Sequence, residues 1–300
     1  MRFMYYLPGV GVSNGDSLAD AAELTDLAAT AEAAGFDGIA FDDHPAPPQR
    51  WREDPLGHDS LDPFVALAAV TAGTRYVRLF TSLTVLPYRN PFIVAKSVAT
   101  LDVLSGGRVE LGLGTGYLPD EYAALGVDFE RRNAIFDESV EVLKLAWAGE
   151  PVTYRGIGFD ARAVTVQPRP AQRPHPPLWV GGNARVSLRR VAEFGKGWMA
   201  LPSRGNAAIS RRSPALETME DFRAYLRYLH EYADSIGRTE PIEISGGPIG
   251  EWPDEVTRLR ALAEVGVTWS GGGGGGASLA ERKEAIARFH DAVIAPYRAS

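Results

Sequence analysis

Two periodicities alternate along the chain. Short apolar runs at residues 3–7, 38–42, 77–83, 108–113, 178–180, 197–201, 242–245 and 267–270 read as buried strands. Between them, apolar positions recur at helical spacing, as with Ile135, Val140, Leu143 and Trp147 in the helix predicted over 131–148. Ser17 is the expected cap of a first helix over 18–34, which stops at Gly35. Asp62–Pro63 and Asn90–Pro91 are cap-and-proline pairs that open two more, because the N–H missing from proline is not needed in a first turn. Further helices are predicted from Ala184 to Gly195 and over 220–236, 255–264 and 279–294. Eight strands alternating with eight helices in 300 residues is the arithmetic of a (β/α)8 TIM barrel, with a doubly wound open sheet as the alternative. Residues 149–177 break the rhythm with six prolines and two short alternations, 152–154 and 164–166, that pair as a hairpin outside the main sheet. This segment reads as an insertion between helix four and strand five of one domain spanning 1–300.

In such a barrel the active site gathers at the C-terminal ends of the strands. Here those ends carry Asp42–Asp43–His44, Thr81–Ser82–Leu83, the loop 112–117, Gly181–Gly182–Asn183, the segment 199–204 and the glycine run 271–276. Gly112, Gly114 and Gly116 bring bare backbone to a ligand, and Thr115 adds a hydroxyl. The dinucleotide fingerprint is the rival reading of this loop. That fingerprint belongs to a first strand-turn-helix unit with an acid about 20 residues on, whereas this loop closes the fourth strand with a different glycine spacing. Gly181–Gly182, with Asn183 as helix cap and Arg185 behind it, is either an anion site at a helix N-terminus or a tight turn.

His44 is the one histidine of five at a strand end, where it serves proton transfer or simply caps a loop. A metal site is not expected, because the other strand ends supply no further ligands. The run 271–276 reads as a mobile loop, with a phosphate cradle as the alternative. Arg204, Arg211 and Arg212 form either a solvated charge cluster or a basic edge to the site. Trp51, Tyr88, Tyr117 and Trp198 are candidate aromatic walls of a substrate pocket, or core.

Composition narrows the partners. With 45% hydrophobic and 23% charged residues the chain buries a full core, and its net charge of -7 argues against nucleic acid and anionic membrane surfaces. No cysteine is present, so disulfides and thiolate chemistry are excluded. No long apolar run suggests a leader or a membrane span, and a cytoplasmic protein is expected.

Taken in order, Asp43–His44, the stretch Leu-Thr-Val-Leu-Pro-Tyr-Arg-Asn-Pro at 83–91, Leu-Asp-Val-Leu-Ser-Gly-Gly-Arg at 101–108, Gly-Leu-Gly-Thr-Gly at 112–116 and Pro-Pro-Leu-Trp-Val-Gly-Gly at 176–182 resemble the bacterial luciferase-like flavin oxidoreductases. The likeness spans about residues 1–200, and an ordered set is more specific than any one motif. The Asp–His pair and the Arg-Asn-Pro stretch are most similar to the branch that uses coenzyme F420. Branches that use FMN more often carry Glu-His-His at the first position.

The resemblance implies a barrel holding a flavin-type ring at its strand ends. It implies a non-proline cis peptide at Ser82–Leu83 behind that ring, and the cofactor phosphate held by Thr115, Gly116, Gly181 and Gly182. His44 would stand at the reactive face, with Asp43 beside it and Gly114, Tyr117, Asn183 and Arg185 completing the cofactor site. Trp51, Tyr88, Trp198, Arg204, Arg211 and Arg212 would face the substrate or the cofactor tail. In a sugar-oxidising branch the position after Gly116 is a glutamate acid, whereas here it is Tyr117, a departure that argues against a sugar phosphate substrate. The expected activity is hydride transfer between F420 and a small alcohol, ketone or enone. The alternatives are an FMN-dependent monooxygenase fed by a separate flavin or F420 reductase, and a flavin-binding protein without turnover. A homodimer is expected.

Overall fold

The computed structural model describes residues 1–7, 20–54, 57–203, 205, 208 and 212–299. In chain order its strands are β1 (Arg2–Tyr6), β2 (Gly38–Phe41), β3 (Arg78–Val85), β4 (Val109–Gly114), β5 (Val152–Gly156), β6 (Phe159–Val164), β7 (Leu178–Gly181), β8 (Gly197–Met199), β9 (Glu243–Gly246) and β10 (Trp269–Gly271). Strands β5 and β6 pair antiparallel outside the barrel, as the insertion predicts, although β6 starts five residues earlier than the alternation at 164–166 suggests. The other eight are parallel and close in the order β1-β10-β9-β8-β7-β4-β3-β2. Residues of β2, β4, β7 and β8 are buried throughout, which is why these strands read as continuous apolar runs.

The helices are α1 (Ala21–Ala33), α2 (Gln49–Arg52), α3 (Pro63–Thr71), α4 (Pro91–Leu104), α5 (Pro119–Ala124), α6 (Arg132–Ala148), α7 (Arg185–Phe194), α8 (Met219–Ser235), α9 (Glu255–Glu264), α10 (Leu279–Phe289) and α11 (Ala295–Ala299), with a π-helical turn at His290–Ile294. The cap-and-proline pairs act as expected. Asp62 accepts from the N–H groups of Phe64 and Val65 at 3.0 and 3.1 Å, and Asn90 accepts from Phe92 at 2.9 Å. Ser17 lies outside the described residues, and α1 begins at Ala21 with Asp20 as its cap. Among the described residues no helix is long and apolar enough to cross a membrane.

Strand alternation divides the barrel's interior into layers. Met4, Ala40, Phe80, Trp179, Met199 and Trp269 fill the middle, with the Phe80 ring 4.9 Å from Trp269 and 5.5 Å from Trp179, edge to face. Below them, at the N-terminal end of the strands, a charged layer closes the floor. Arg2 and Lys196 pair with Glu243, Arg78 pairs with Glu110 at 2.7 Å, and the indoles of Trp269 and Trp179 donate to Glu243 and Glu110 at 2.8 Å each. Every carboxylate in that floor therefore has a cation and an N–H donor, which is what permits charge at such depth. Above the middle layer the mouth is lined by shorter groups. The Tyr6 phenol reaches the hydroxyls of Ser82 on β3 and Ser245 on β9.

The run 271–276 is only in part the unpacked loop that its composition suggests. Side chains at Gly271, Gly272 and Gly273 would collide with the rings of Tyr6, Phe289 and Phe36 in turn, so these three glycines pack closely under aromatics.

Candidate active site

His44 follows β2 and enters the mouth beneath a short aromatic wall. Its Nδ1 lies 3.3 Å from Oε2 of Glu121 and its Nε2 lies 3.4 Å from the Tyr117 hydroxyl. Trp51 from α2 lies against the imidazole at 5.3 Å between ring centroids, tilted by 36°, and also packs edge-on to Tyr117 at 5.6 Å. His58 meets His44 edge-on at 5.2 Å and pairs with Asp42. The sequence thus brings together His44, Trp51 and Tyr117, which lie 73 residues apart from first to last.

Glu121 is the member that sequence reading missed. Its side chain is 1% exposed, and it accepts from the Tyr88 hydroxyl at 2.9 Å and from the Ala46 N–H at 3.2 Å in addition to facing His44. It sits in α5, six residues long and too short for periodicity to reveal; Pro119 in the first turn was the only signal available. Tyr88 is a buttress rather than a pocket wall, 7% exposed and packed on Tyr122 at 4.8 Å. Burial, and then the neighbouring Glu121 charge, push the Tyr88 phenol far up, so it remains a donor to that carboxylate.

Asp43 points to the other side of the strand from Asp42. It accepts from Arg89 at 2.8 Å and from the Val85 N–H at 3.1 Å, and Arg89 in turn bonds Asp62 at 2.8 Å and lies over the Phe64 ring. Burial raises the Asp43 carboxyl against the pull of Arg89 and of the Val85 N–H. Asp43 thereby ties the end of β2 to the end of β3, where the Ser82–Leu83 peptide is cis. The Leu83 side chain then folds over Gly114 on β4 and Gly181 on β7, and fills the space that a Cβ on either would need. Bare backbone at these two glycines thus admits Leu83, whereas the sequence suggested a ligand there.

Strands β4 and β7 pair with Leu113 opposite Val180, so Thr115–Gly116 and Gly182 leave the barrel side by side. Both glycines have positive φ, 65° and 98°. The Gly182 carbonyl accepts from the Trp198 indole at 2.9 Å. Trp198 does not face the mouth: strand alternation turns it outward, where it stacks on Phe222 of α8 at 5.5 Å. Asn183 does not cap α7 either, since the cap position is Ala184. Its side chain is fully buried and pins the next loop, donating to the carbonyls of Leu201 and Pro214 and accepting from the Leu201 N–H. Arg185 lies on the helical layer over the Tyr228 ring. Of the three loop arginines, Arg204 and Arg211 fall outside the described residues. Arg212 lies 5.0 Å above the Phe129 ring, which Arg132 also covers at 4.0 Å. Phe129 packs on Tyr122, whose hydroxyl bonds the Thr115 carbonyl, so two rings stand between these guanidinium groups and the Thr115 loop.

Comparison with known proteins agrees with this architecture. An uncharacterized protein of Mycobacterium tuberculosis is 32% identical over 210 residues, 66% of this chain and 69% of that one. An F420-dependent glucose-6-phosphate dehydrogenase of Microbacterium testaceum is 32% identical over 200 residues, 65% of this chain and 57% of its own length. Among solved structures, monooxygenase RslO1 from Streptomyces bottropensis superposes with a TM-score of 0.76 at 24% identity, covering 99% of this chain and 100% of that one. The oxygenating constituent of 3,6-diketocamphane monooxygenase from Pseudomonas putida, in complex with FMN, superposes at 0.64 with 19% identity over 82% of this chain and 67% of its own. The neighbours therefore include both F420-dependent and FMN-binding enzymes. Residues 1–239 match the family model described as luciferase-like monooxygenase, and the chain belongs to that family of enzymes.

Proposed function

We propose that this protein is an oxidoreductase that transfers a hydride between coenzyme F420 and a small organic substrate, an alcohol and ketone pair or an enone. The observation that carries the reading is the His44 cluster. An acid–base side chain stands at a strand end, braced by a buried carboxylate and bordered by Trp51 and Tyr117. The F420-dependent relative from Microbacterium testaceum supports the cofactor, while Tyr117 in place of a glutamate argues against its sugar phosphate.

The residues present fit a flavin-type group. Leu83 offers an apolar surface at the mouth, and the Thr115 hydroxyl with the Gly116 backbone is the part of this edge suited to a phosphate, with Gly182 alongside, its own N–H already donating to the Met199 carbonyl at 3.3 Å. The buried Trp51 indole N–H has no hydrogen-bond partner among the described residues and is available as a donor within the cluster. A deazaflavin, once bound, supplies two-electron hydride chemistry. The chain's own part is to orient the substrate, exclude water behind Trp51 and Tyr117, and move a proton through His44. Asp43 and Arg89 act at one remove by holding β2 to β3, and Asn183 does so by holding the loop after β8.

Titrating the purified protein with F420 and with FMN, followed by turnover against a panel of alcohols, ketones and enones, tests the proposal. Tighter binding of FMN, with oxygen consumed when a reductase is added, supports an FMN-dependent monooxygenase instead. Cofactor binding without turnover on any donor or acceptor supports a flavin-binding protein.

A further inference from the structure

The proton path in this site does not end at His44. The imidazole side chain is 9% exposed, and each ring nitrogen already faces a protein group, Nδ1 toward Glu121 and Nε2 toward Tyr117. Its ring is covered by Trp51 on one side and met by the edge of His58 on another. Tyr117 is half-buried and leads directly from the Gly112–Gly116 loop at the mouth.

The protonation of this chain of groups follows from the donor inventory. Glu121 has three partners, the Ala46 N–H, the Tyr88 hydroxyl and His44 Nδ1. A carboxylate offers only lone pairs, so all three must donate to it, and Nδ1 carries the imidazole proton. Nε2 then presents a lone pair, and the Tyr117 hydroxyl donates to it. The two histidine distances sit at the long end of the hydrogen-bond range, as is common for catalytic pairs before substrate is in place.

We infer that Tyr117 is the catalytic residue that exchanges a proton with the substrate oxygen, and that His44 and Glu121 act behind it as a relay, Glu121 positioning His44 as the Nδ1–H tautomer. This rests on the hydride-transfer reading above. In the oxidising direction the substrate O–H bond breaks and its proton goes to the Tyr117 oxygen. The proton that Tyr117 held passes to His44 Nε2, leaving an imidazolium paired with the Glu121 carboxylate. A deazaflavin held at the strand ends would supply the two-electron acceptor for the hydride of the carbinol carbon, which would leave as a ketone. Tyr88, held protonated, keeps the second Glu121 lone pair engaged and the carboxylate in place.

The central test needs neither cofactor nor substrate. Nitrogen-15 NMR of histidine-labelled protein, with His44 signals assigned by their loss in His44→Ala, reads the tautomer directly. The expected result is Nδ1 protonated and Nε2 bare in the neutral ring. The opposite tautomer overturns the relay. In Tyr117→Phe, which keeps the ring packing on Trp51, the Nε2 resonance should move while Nδ1 stays, and an unmoved Nε2 signal removes Tyr117 from the path. Glu121→Gln should reduce the Nδ1–H preference, and Tyr88→Phe offers a milder perturbation of the same carboxylate should that variant fail to fold. With F420 and a secondary alcohol panel, Tyr117→Phe should lose about 100-fold or more in kcat at nearly constant cofactor Kd. Failure of F420 to bind wild type would sink the cofactor reading and leave the tautomer result standing, so the two failures are distinct.

Discussion

Leu83 lies where Gly181 would carry a side chain: a Cβ added to Gly181 collides with Leu83 Cδ2. The apolar surface at the barrel mouth thus depends on a glycine 98 positions away in the chain. Gly181→Ala should cost about 1–3 kcal/mol by overpacking, measured by urea unfolding. Shortening the neighbour as well, in Gly181→Ala with Leu83→Ala, should cost less than the sum of the two single changes. Strict additivity would mean that these side chains do not meet.

His44→Ala should lower turnover by about 100-fold or more and leave cofactor affinity nearly unchanged, since a positioned acid or base contributes on that scale. Steady-state kinetics beside a fluorescence titration decides it. Wild-type turnover in the variant would reduce His44 to a packing group under Trp51.

Gly182 carries φ of 98°, and a Cβ there would lie 3.3 Å from the Ser187 hydroxyl. Any side chain is therefore strained, and charge has to be separated from backbone. Gly182→Ala should weaken cofactor binding modestly, whereas Gly182→Asp should weaken it much further by placing a carboxylate beside the phosphate, with both variants folded by circular dichroism. Equal affinities in the two would move the phosphate away from this turn.

Glu32 provides a pH-dependent link between α1 and the entry to β3. Burial pushes its pKa up, but the N–H groups of Val77, Tyr76 and Arg75, bonded at 2.7 to 3.0 Å, outweigh it, with Arg108 adding a nearby cation; the carboxyl ends below its ordinary 4.5. Because the folded pKa is the lower one, this stabilisation is complete above pH 4.5 and is lost as pH falls through the folded value. Glu32→Gln should therefore cost about 1–2 kcal/mol at neutral pH. The gap from wild type should close as unfolding is followed down to strongly acidic pH. A gap that stays constant with pH would show that the carboxylate charge is not what holds this turn.

Arg132 and Arg212 share the Phe129 ring, which packs on Tyr122 next to Thr115. If the glutamate tail of F420 runs past them, Arg132→Gln with Arg212→Gln should weaken F420 binding more at low salt than at high salt, because exposed charges are screened within about 10 Å at 0.1 M. The tail-free cofactor should be little affected. Equal losses for both cofactors would put the tail elsewhere, with Arg204 and Arg211 the next pair to neutralise.

The sequence disclosed what local rules govern. Proline after Asp62 and Asn90 marked two helix starts, and apolar runs marked every barrel strand, because strand burial and first-turn chemistry are properties of neighbours in the chain. His44, Trp51 and Tyr117 were legible as candidates because barrel topology sends strand ends to one face. Direction was harder. Trp198 and Arg185 lie in the right segments but turn toward the helices, and Asn183 pins Leu201 and Pro214 instead of capping α7. Glu121 was invisible because its helix is shorter than two turns and its three partners come from elsewhere in the chain.

The charged floor under the barrel has a bearing on the order of events. Arg2, Arg78, Lys196, Glu110 and Glu243, with Trp179 and Trp269 above them, fill the lower end of the barrel with mutually paired groups. A molecule that settles at the strand ends would then arrive and depart from above, through the doorway that a second molecule would also use. Depth, then, would set sequence: a cofactor held against Leu83, as proposed, would enter first and leave only after whatever covered it had gone.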